Sequence, residues 1–502
     1  MTMRNLGSAA ALAERAVRLL PRPGRQRPLG HLPHRVTVVL ISVAGLIAVA
    51  AIAIGVALRV TPMQTVTVAG QVIKVGATAP WLSTSGPGEV DLFGQSLPTV
   101  VDFAGPVRPK LALTQISIDS ELANFAQETS ARSATQRLGS QLDDGWTQYF
   151  GWEAAIAGLI ALVLTGAVAG WRRLPAKSTV WLLVAGLVLT ELVNIGAIVF
   201  AAGSARTALG QVRSLNQLVG SDPAPVQRQV QRHGRPLPGY QAVVIGDSTA
   251  SGAGLPPVSR PSRADKACGR SADSYAADLA GANNWKVLNL ACNSATIRRG
   301  LLGAQRKHGM RMPPQLGTAV RARDASVVIV SVGADDLQWS AIVGFCAAAP
   351  QCDDRASTAF FQQKLAAFSR DYFQLLTQLA ALPGRPRVIV NGYYDPFGSD
   401  LACVAGHGLS SEKVTILSSR LATLNKVLAT GAREFGYLSV QPSFAGHQLC
   451  SPQPYVQGPG GPAPFHPTEL GQLEIALADQ VALASQPGTQ ARDGHAGSAQ
   501  HL

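Results

Sequence analysis

At 502 residues the chain is too long for one ordinary domain. Its 47% hydrophobic against 15% charged residues, with a mean hydropathy of +0.15, exclude both a largely disordered chain and a wholly soluble globular one. The net charge of +13 argues for nucleic acid only until it is located. Seven Arg against one Glu lie in residues 1–35, three basic residues in 171–177, and five Arg against Asp222 in 206–235, which together account for the whole excess. Each stretch flanks a long apolar run, so membrane orientation explains the charge and a nucleic-acid partner is disfavoured.

The basic residues 1–35 read as a cytoplasmic N-terminus. Val36–Leu58 is an uncharged run of 23 residues, long enough to cross a ~30 Å hydrocarbon core. It is too long for a signal-peptide core and lacks an A-x-A-like cleavage site, which predicts a retained first span over 36–59. The second span is expected over 152–171, entered through an interfacial belt of Trp146, Tyr149, Phe150 and Trp152. The basic loop 172–177 returns to a third span over 178–205. The basic flanks place 60–150 and everything after Arg206 outside. Glu191 and Asn194, three residues apart, share a face of the third span, and a protonated Glu191 bonded to Asn194 or to a neighbouring helix is the simplest reading.

Residues 60–150 read as a small β-rich extracytoplasmic domain. Val66, Val68, Val72 and Val75, broken by Gly70 and Gly76, suggest a hairpin, and Leu97–Phe103 and Leu111–Ile118 are further strand candidates. Asp119–Leu142 is expected to be a helix feeding the second span. A polar, Pro-rich linker fills 206–239, and the Gly/Ser/His-rich tail 486–502 is expected to be disordered.

The segment 240–485 alternates strand candidates, Ala242–Ile245, Lys286–Leu290, Ser326–Val332 and Arg387–Asn391, with helical stretches at Asp273–Ala280, Ala359–Leu382, Ser411–Phe435 and Thr468–Ala484. This order predicts an α/β domain, a parallel sheet covered by helices on both faces. All six cysteines, Cys268, Cys292, Cys346, Cys352, Cys403 and Cys450, fall here, none in a C-x-x-C spacing. Their confinement to the expected exterior fits disulfides, and sequence neighbourhood suggests Cys268–Cys292, Cys346–Cys352 and Cys403–Cys450. No metal or cofactor motif is present.

The first strand runs into Gly246-Asp247-Ser248, a place where open α/β sheets put their ligands. Alone that tripeptide is weak. Three more blocks follow in order: Ala291-Cys292-Asn293-Ser294-Ala295-Thr296, Gly333-Ala334-Asp335-Asp336 and Phe465-His466-Pro467. With these four blocks, Tyr240 to about Ser485 resembles the SGNH (GDSL-type) hydrolase family, and the cysteine placement resembles its actinobacterial three-disulfide branch.

The resemblance implies a three-layer, flavodoxin-like fold and a serine esterase. Ser248 would be the nucleophile and His466 its general base, with His407 and His447 as weaker competitors for that role. The oxyanion hole would comprise the Ser248 N–H, the Ser294 N–H and residue 335. Three departures stand out. Ala463 occupies the place of the family's usual Asp, so that a backbone carbonyl would have to orient His466. Ser294 replaces the usual Gly, which predicts strain if its φ is positive. Asp335 replaces an Asn whose amide donates to the oxyanion, whereas an ionised carboxylate only accepts. Asn293 could supply the missing amide, or a protonated Asp335 could donate. The expected function is therefore a membrane-anchored extracytoplasmic esterase or acyl-transferring enzyme acting on acyl or acetyl esters of envelope lipids or glycans. The alternative is a pseudoenzyme that keeps the fold as an envelope binding or scaffold module.

Overall fold

The computed structural model describes residues 34–68, 71–79, 85–116, 131–209 and 235–485. The N-terminal basic stretch, residues 119–130 of the expected helix, most of the linker and the C-terminal tail lie outside the described residues.

Three helices, α1 (His34–Val60), α2 (Ala131–Trp171) and α3 (Ala176–Leu209), contain stretches long and apolar enough to cross a membrane: Val39–Val60, Asp144–Trp171 and Ala176–Ala201. Several of their large apolar side chains are exposed, Leu159 at 62% and Leu192 at 66%. Asn194 Nδ2 donates to Glu153 Oε2 at 2.7 Å, with both residues fully buried. Of the two partners expected for Glu191, Asn194 is taken by Glu153, midway along α2.

The small sheet contains β1 (Gln64–Val68), β2 (Gln71–Thr78), β3 (Ser85–Leu92), β4 (Gln95–Ala104) and β5 (Arg108–Ile116), in the order β1-β2-β5-β3-β4. All its pairs are antiparallel except β3–β5. Two residues of the expected aromatic belt, both on α2, are buried against neighbouring elements. Trp146 Nε1 donates to the Gly76 carbonyl at 3.1 Å, and Tyr149 is buried with its hydroxyl donating to the Leu58 carbonyl at 3.2 Å. An indole or phenol with a protein partner packs as core rather than at a lipid interface. Trp152 alone of the four is strongly exposed.

The second sheet is parallel throughout: β6 (Ala242–Gly246), β7 (Val287–Asn289), β10 (Val327–Ser331), β11 (Arg387–Asn391) and β12 (Leu438–Val440), in the order β12-β11-β10-β6-β7. Every residue of β6 and β10 is buried, as unbroken Ala/Val/Ile runs must be when both faces of a sheet are covered. Between β7 and β10 a two-stranded hairpin projects, β8 (Gln305–Lys307) and β9 (Met310–Met312). The covering helices include α4 (Ser248–Ser251), α5 (Tyr275–Asn283), α6 (Ala334–Leu337), α7 (Trp339–Ala348), α8 (Arg355–Ala380), α9 (Ser411–Glu434) and α10 (Glu469–Ser485). Strand β6 lies between β7 and β10, so the chain segments that follow these three parallel strands emerge at the same edge of the sheet.

Candidate active site

Ser248 opens α4 immediately after β6. Asp247 caps that helix, its carboxylate accepting from the Thr249 N–H at 3.0 Å. Gly246 is needed for packing: a side chain there would collide with the Ser331 carbonyl of the adjacent strand. Gln315 brackets the same glycine, with Oε1 accepting from the Gly246 N–H at 2.8 Å and Nε2 donating to its carbonyl at 2.9 Å. The turn that presents Ser248 is thereby fixed on both sides.

His466 arrives from the loop before α10. Its Nε2 lies 2.8 Å from Ser248 Oγ and its Nδ1 lies 3.1 Å from the Pro464 carbonyl. A carbonyl only accepts, so Nδ1 carries the proton and Nε2 is left to accept from the serine hydroxyl. The Pro464 carbonyl thus takes the role expected of a backbone carbonyl. Burial holds the His466 pKa below the usual histidine value, partly opposed by the Pro464 and Ala463 carbonyls. His407 is exposed, and His447 stacks on Tyr455 at 4.0 Å while its Nδ1 meets the Gln453 carbonyl.

Two further glutamines lock this pair together. Gln457 Nε2 donates to the Ala253 and Pro467 carbonyls at 2.8 and 2.9 Å, and its Oε1 accepts from the Ala463 N–H. Gln472, fully buried in α10, donates to the Thr249 carbonyl at 2.9 Å and accepts from the Tyr275 N–H. Gly254, at φ +81°, makes room for Gln457 and Ala463, since a Cβ there would come within 2.8 Å of the Ala463 Cβ. Sequence reading missed all three glutamines.

Ser294 has φ +60° and is exposed, so the strain expected of a non-glycine residue at this position is present. Asn293 Oδ1 accepts from Ser251 Oγ, and the amide nitrogen packs against Gly269. Its carboxamide thus braces α4 against the second block. The disulfide Cys268–Cys292 ties the same loop down, and the Asn293 N–H donates to the Cys268 carbonyl at 3.0 Å. The other disulfides are Cys346–Cys352 and Cys403–Cys450.

Asp335 sits on α6 with its Oδ2 buried and without a hydrogen-bond partner. Burial raises its pKa, and the Lys307 ammonium pulls in the opposite direction. Asp247 is also raised, by burial and then by the nearby Asp335, although Tyr393 donates to its Oδ2 at 2.5 Å. The Tyr393 oxygen in turn accepts from the Ala334 N–H at 2.9 Å, linking α4 to α6. Asp336 Oδ1 accepts from the Ile297 N–H at 2.9 Å. Among the described residues no cluster of His, Cys, Asp and Glu has the makings of a metal site.

Residues 244–473 match the family model described as the GDSL-like Lipase/Acylhydrolase family. The chain is 26% identical over 238 residues to a lipase of Streptomyces rimosus, a match covering 46% of this chain and 81% of that one. Among solved structures it is similar to the extracellular lipase of Streptomyces rimosus (23% identity, TM-score 0.38, 49% of this chain and 99% of that one). It is also similar to phospholipase A1 of Streptomyces albidoflavus NA297 (22% identity, TM-score 0.40, 49% and 98%).

Proposed function

We propose that the chain is a membrane-anchored serine esterase whose hydrolase domain faces the extracytoplasmic side and cleaves acyl or acetyl esters of envelope lipids or glycans. The observation that carries this reading is the 2.8 Å contact between His466 Nε2 and Ser248 Oγ, with the tautomer set by Pro464. In the first step Ser248 Oγ bonds to the ester carbonyl carbon and its proton passes to His466 Nε2. The tetrahedral intermediate places its negative oxygen against the N–H groups of Ser248 and Ser294. Its collapse breaks the ester C–O bond, and His466 returns the proton to the departing alcohol. Water, or a sugar hydroxyl in an acyl-transfer variant, then attacks the acyl-Ser248 by the same route. The family domain and the lipase relative support an ester-cleaving reaction. The three apolar helices and their basic flanks support the anchor and its orientation.

A second reading, a binding module that has lost turnover, is favoured by one feature: a carboxylate at Asp335, with its Oδ2 buried and without a partner, where a donor is wanted. A fluorophosphonate probe on the full-length protein in detergent separates the two. The enzyme labels at Ser248 and hydrolyses p-nitrophenyl esters, and Ser248→Ala abolishes both. A binding module does neither. Alkaline-phosphatase fusions active after residues 120 and 300 and silent after Lys177 are expected for the orientation; activity at Lys177 reverses it.

A further inference from the structure

The β8–β9 hairpin turns at His308 and Gly309, both with positive φ (46° and 78°), the geometry of a tight two-residue reversal. Gln305 and Lys307 are two apart on β8 and so project from the same face. Both reach the second-block loop. Gln305 is buried and its Nε2 donates to the Asn293 carbonyl at 2.9 Å. Lys307 Nζ donates to Ser294 Oγ at 3.3 Å. Successive residues on one face of the hairpin are therefore bonded to successive residues of the loop, and the buried glutamine sets the register that delivers the ammonium to Ser294.

We propose that Lys307 is an electrostatic element of the oxyanion hole, its ammonium standing in for the carboxamide that position 335 lacks. The inference rests on the esterase reading of Ser248. Three features support it. The ammonium lies beside the residue whose N–H faces the developing oxyanion in that reading. Its charge acts on Asp335, where Asp247, Asp336 and the Tyr393 phenol are the other titratable groups and Lys307 is the cation. An ammonium carries only hydrogen-bond donors, whereas an ionised carboxylate only accepts. A long flexible stem allows it to follow the carbonyl oxygen as the carbon becomes tetrahedral.

The test uses the full chain in detergent with a short neutral p-nitrophenyl ester. Removing one oxyanion donor costs ~10²–10³ in rate. Lys307→Met should lower kcat about 100-fold with KM little changed, and slow fluorophosphonate labelling in parallel. Lys307→Arg should recover most of that loss. In an Asp335→Asn background, where an amide donor is restored, Lys307→Met should cost about 10-fold or less. A kcat within threefold of wild type in Lys307→Met, while Ser248→Ala is dead, overturns the role of Lys307 and leaves the esterase reading standing. A Lys307→Met defect confined to KM for anionic esters also overturns it, and assigns the lysine to substrate charge. No turnover and no labelling in wild type overturns the esterase reading itself.

Discussion

The ring of Phe93, at the turn between β3 and β4, lies 5.4 Å from the ring of Tyr372 on α8, edge to face, and is 1% exposed. Phe373 and the backbone near Gly431 complete the socket: a side chain on Gly431 would meet both Tyr372 and Phe93. One aromatic residue thus pins the small sheet to the hydrolase domain. Phe93→Ala should destabilise that docking by about 3 kcal/mol, the lower end for losing a buried phenylalanine. Limited proteolysis should then release the hydrolase domain faster. An unchanged cleavage rate would show that the sheet is held by other contacts.

Asp91 on β3 and Glu434 on α9 add a pH dependence to this union. Burial and then Asp91 push Glu434 up to about 8, and one of its oxygens is buried without a partner. Asp479, bonded by Asn391, is raised by burial to about 7. Folded-state values above the unfolded ones of ~4 mean that the native protein binds more protons, so both groups favour the fold at low pH. Stability should fall as pH rises from about 5 to 8. The melting temperature of the detergent-solubilised protein measures this, and Glu434→Gln with Asp479→Asn should flatten the slope. A melting temperature that climbs over that interval would contradict the assignment.

His466 provides a second pH test, in activity. Its desolvated ring resists protonation, and its Nδ1 partner is a neutral carbonyl rather than a carboxylate. The acid limb of kcat/KM should lie below 6.5, the ordinary value for histidine. Placing a carboxylate nearby with Ala463→Asp should move that limb upward by about one unit. A wild-type limb above 6.5 would mean that an anion already supports the imidazolium.

At Ser294 the backbone, rather than the charge, is at issue. A left-handed φ costs a non-glycine residue ~1–2 kcal/mol, while glycine adds entropy to the unfolded chain. Ser294→Gly should therefore stabilise the protein by about 0.5–1 kcal/mol, and the β-branched Ser294→Val should destabilise it by more than ~1 kcal/mol. Thermal unfolding checks both. Equal stability of the Gly and Val variants would show that the loop relaxes at no cost.

Strands β6, β10 and β11 were legible because a sheet buried on both faces demands unbroken apolar runs. Strand β3 was hidden: Gly86, Pro87 and Gly88 carry every local mark of a turn, yet its pairing with β4 and β5 overrides them. The proposed nucleophile and base were legible because short motifs hold their neighbours in fixed order. Gln315, Gln457 and Gln472 were not, since their partners lie 69, 204 and 223 residues away and nothing local marks a buried amide. Lys307 was obscured in the same way within a polar run, where only the following His308-Gly309 pair hinted at a hairpin.

In the proposed esterase, Asp335 is the residue whose charge matters most to turnover. Its carboxylate is raised by burial, sits beside Asp247 and Lys307, and has one oxygen without a partner. If it remains ionised at working pH, it faces the developing oxyanion with like charge. Asp335→Asn then exchanges repulsion for donation, and kcat should rise by about tenfold or more at neutral pH. If it is protonated, it already donates, and wild-type activity should peak at mildly acidic pH. The alkaline limb of that bell would be Asp335 losing its proton and the acid limb His466 gaining one. Asp335→Asn should then abolish the alkaline limb and leave the acid limb in place. The two cases differ in the wild-type profile and agree that the amide is tolerated. A drop of 100-fold or more in Asp335→Asn at every pH would contradict both, and would mean that the carboxylate grips the substrate or holds Lys307 in place.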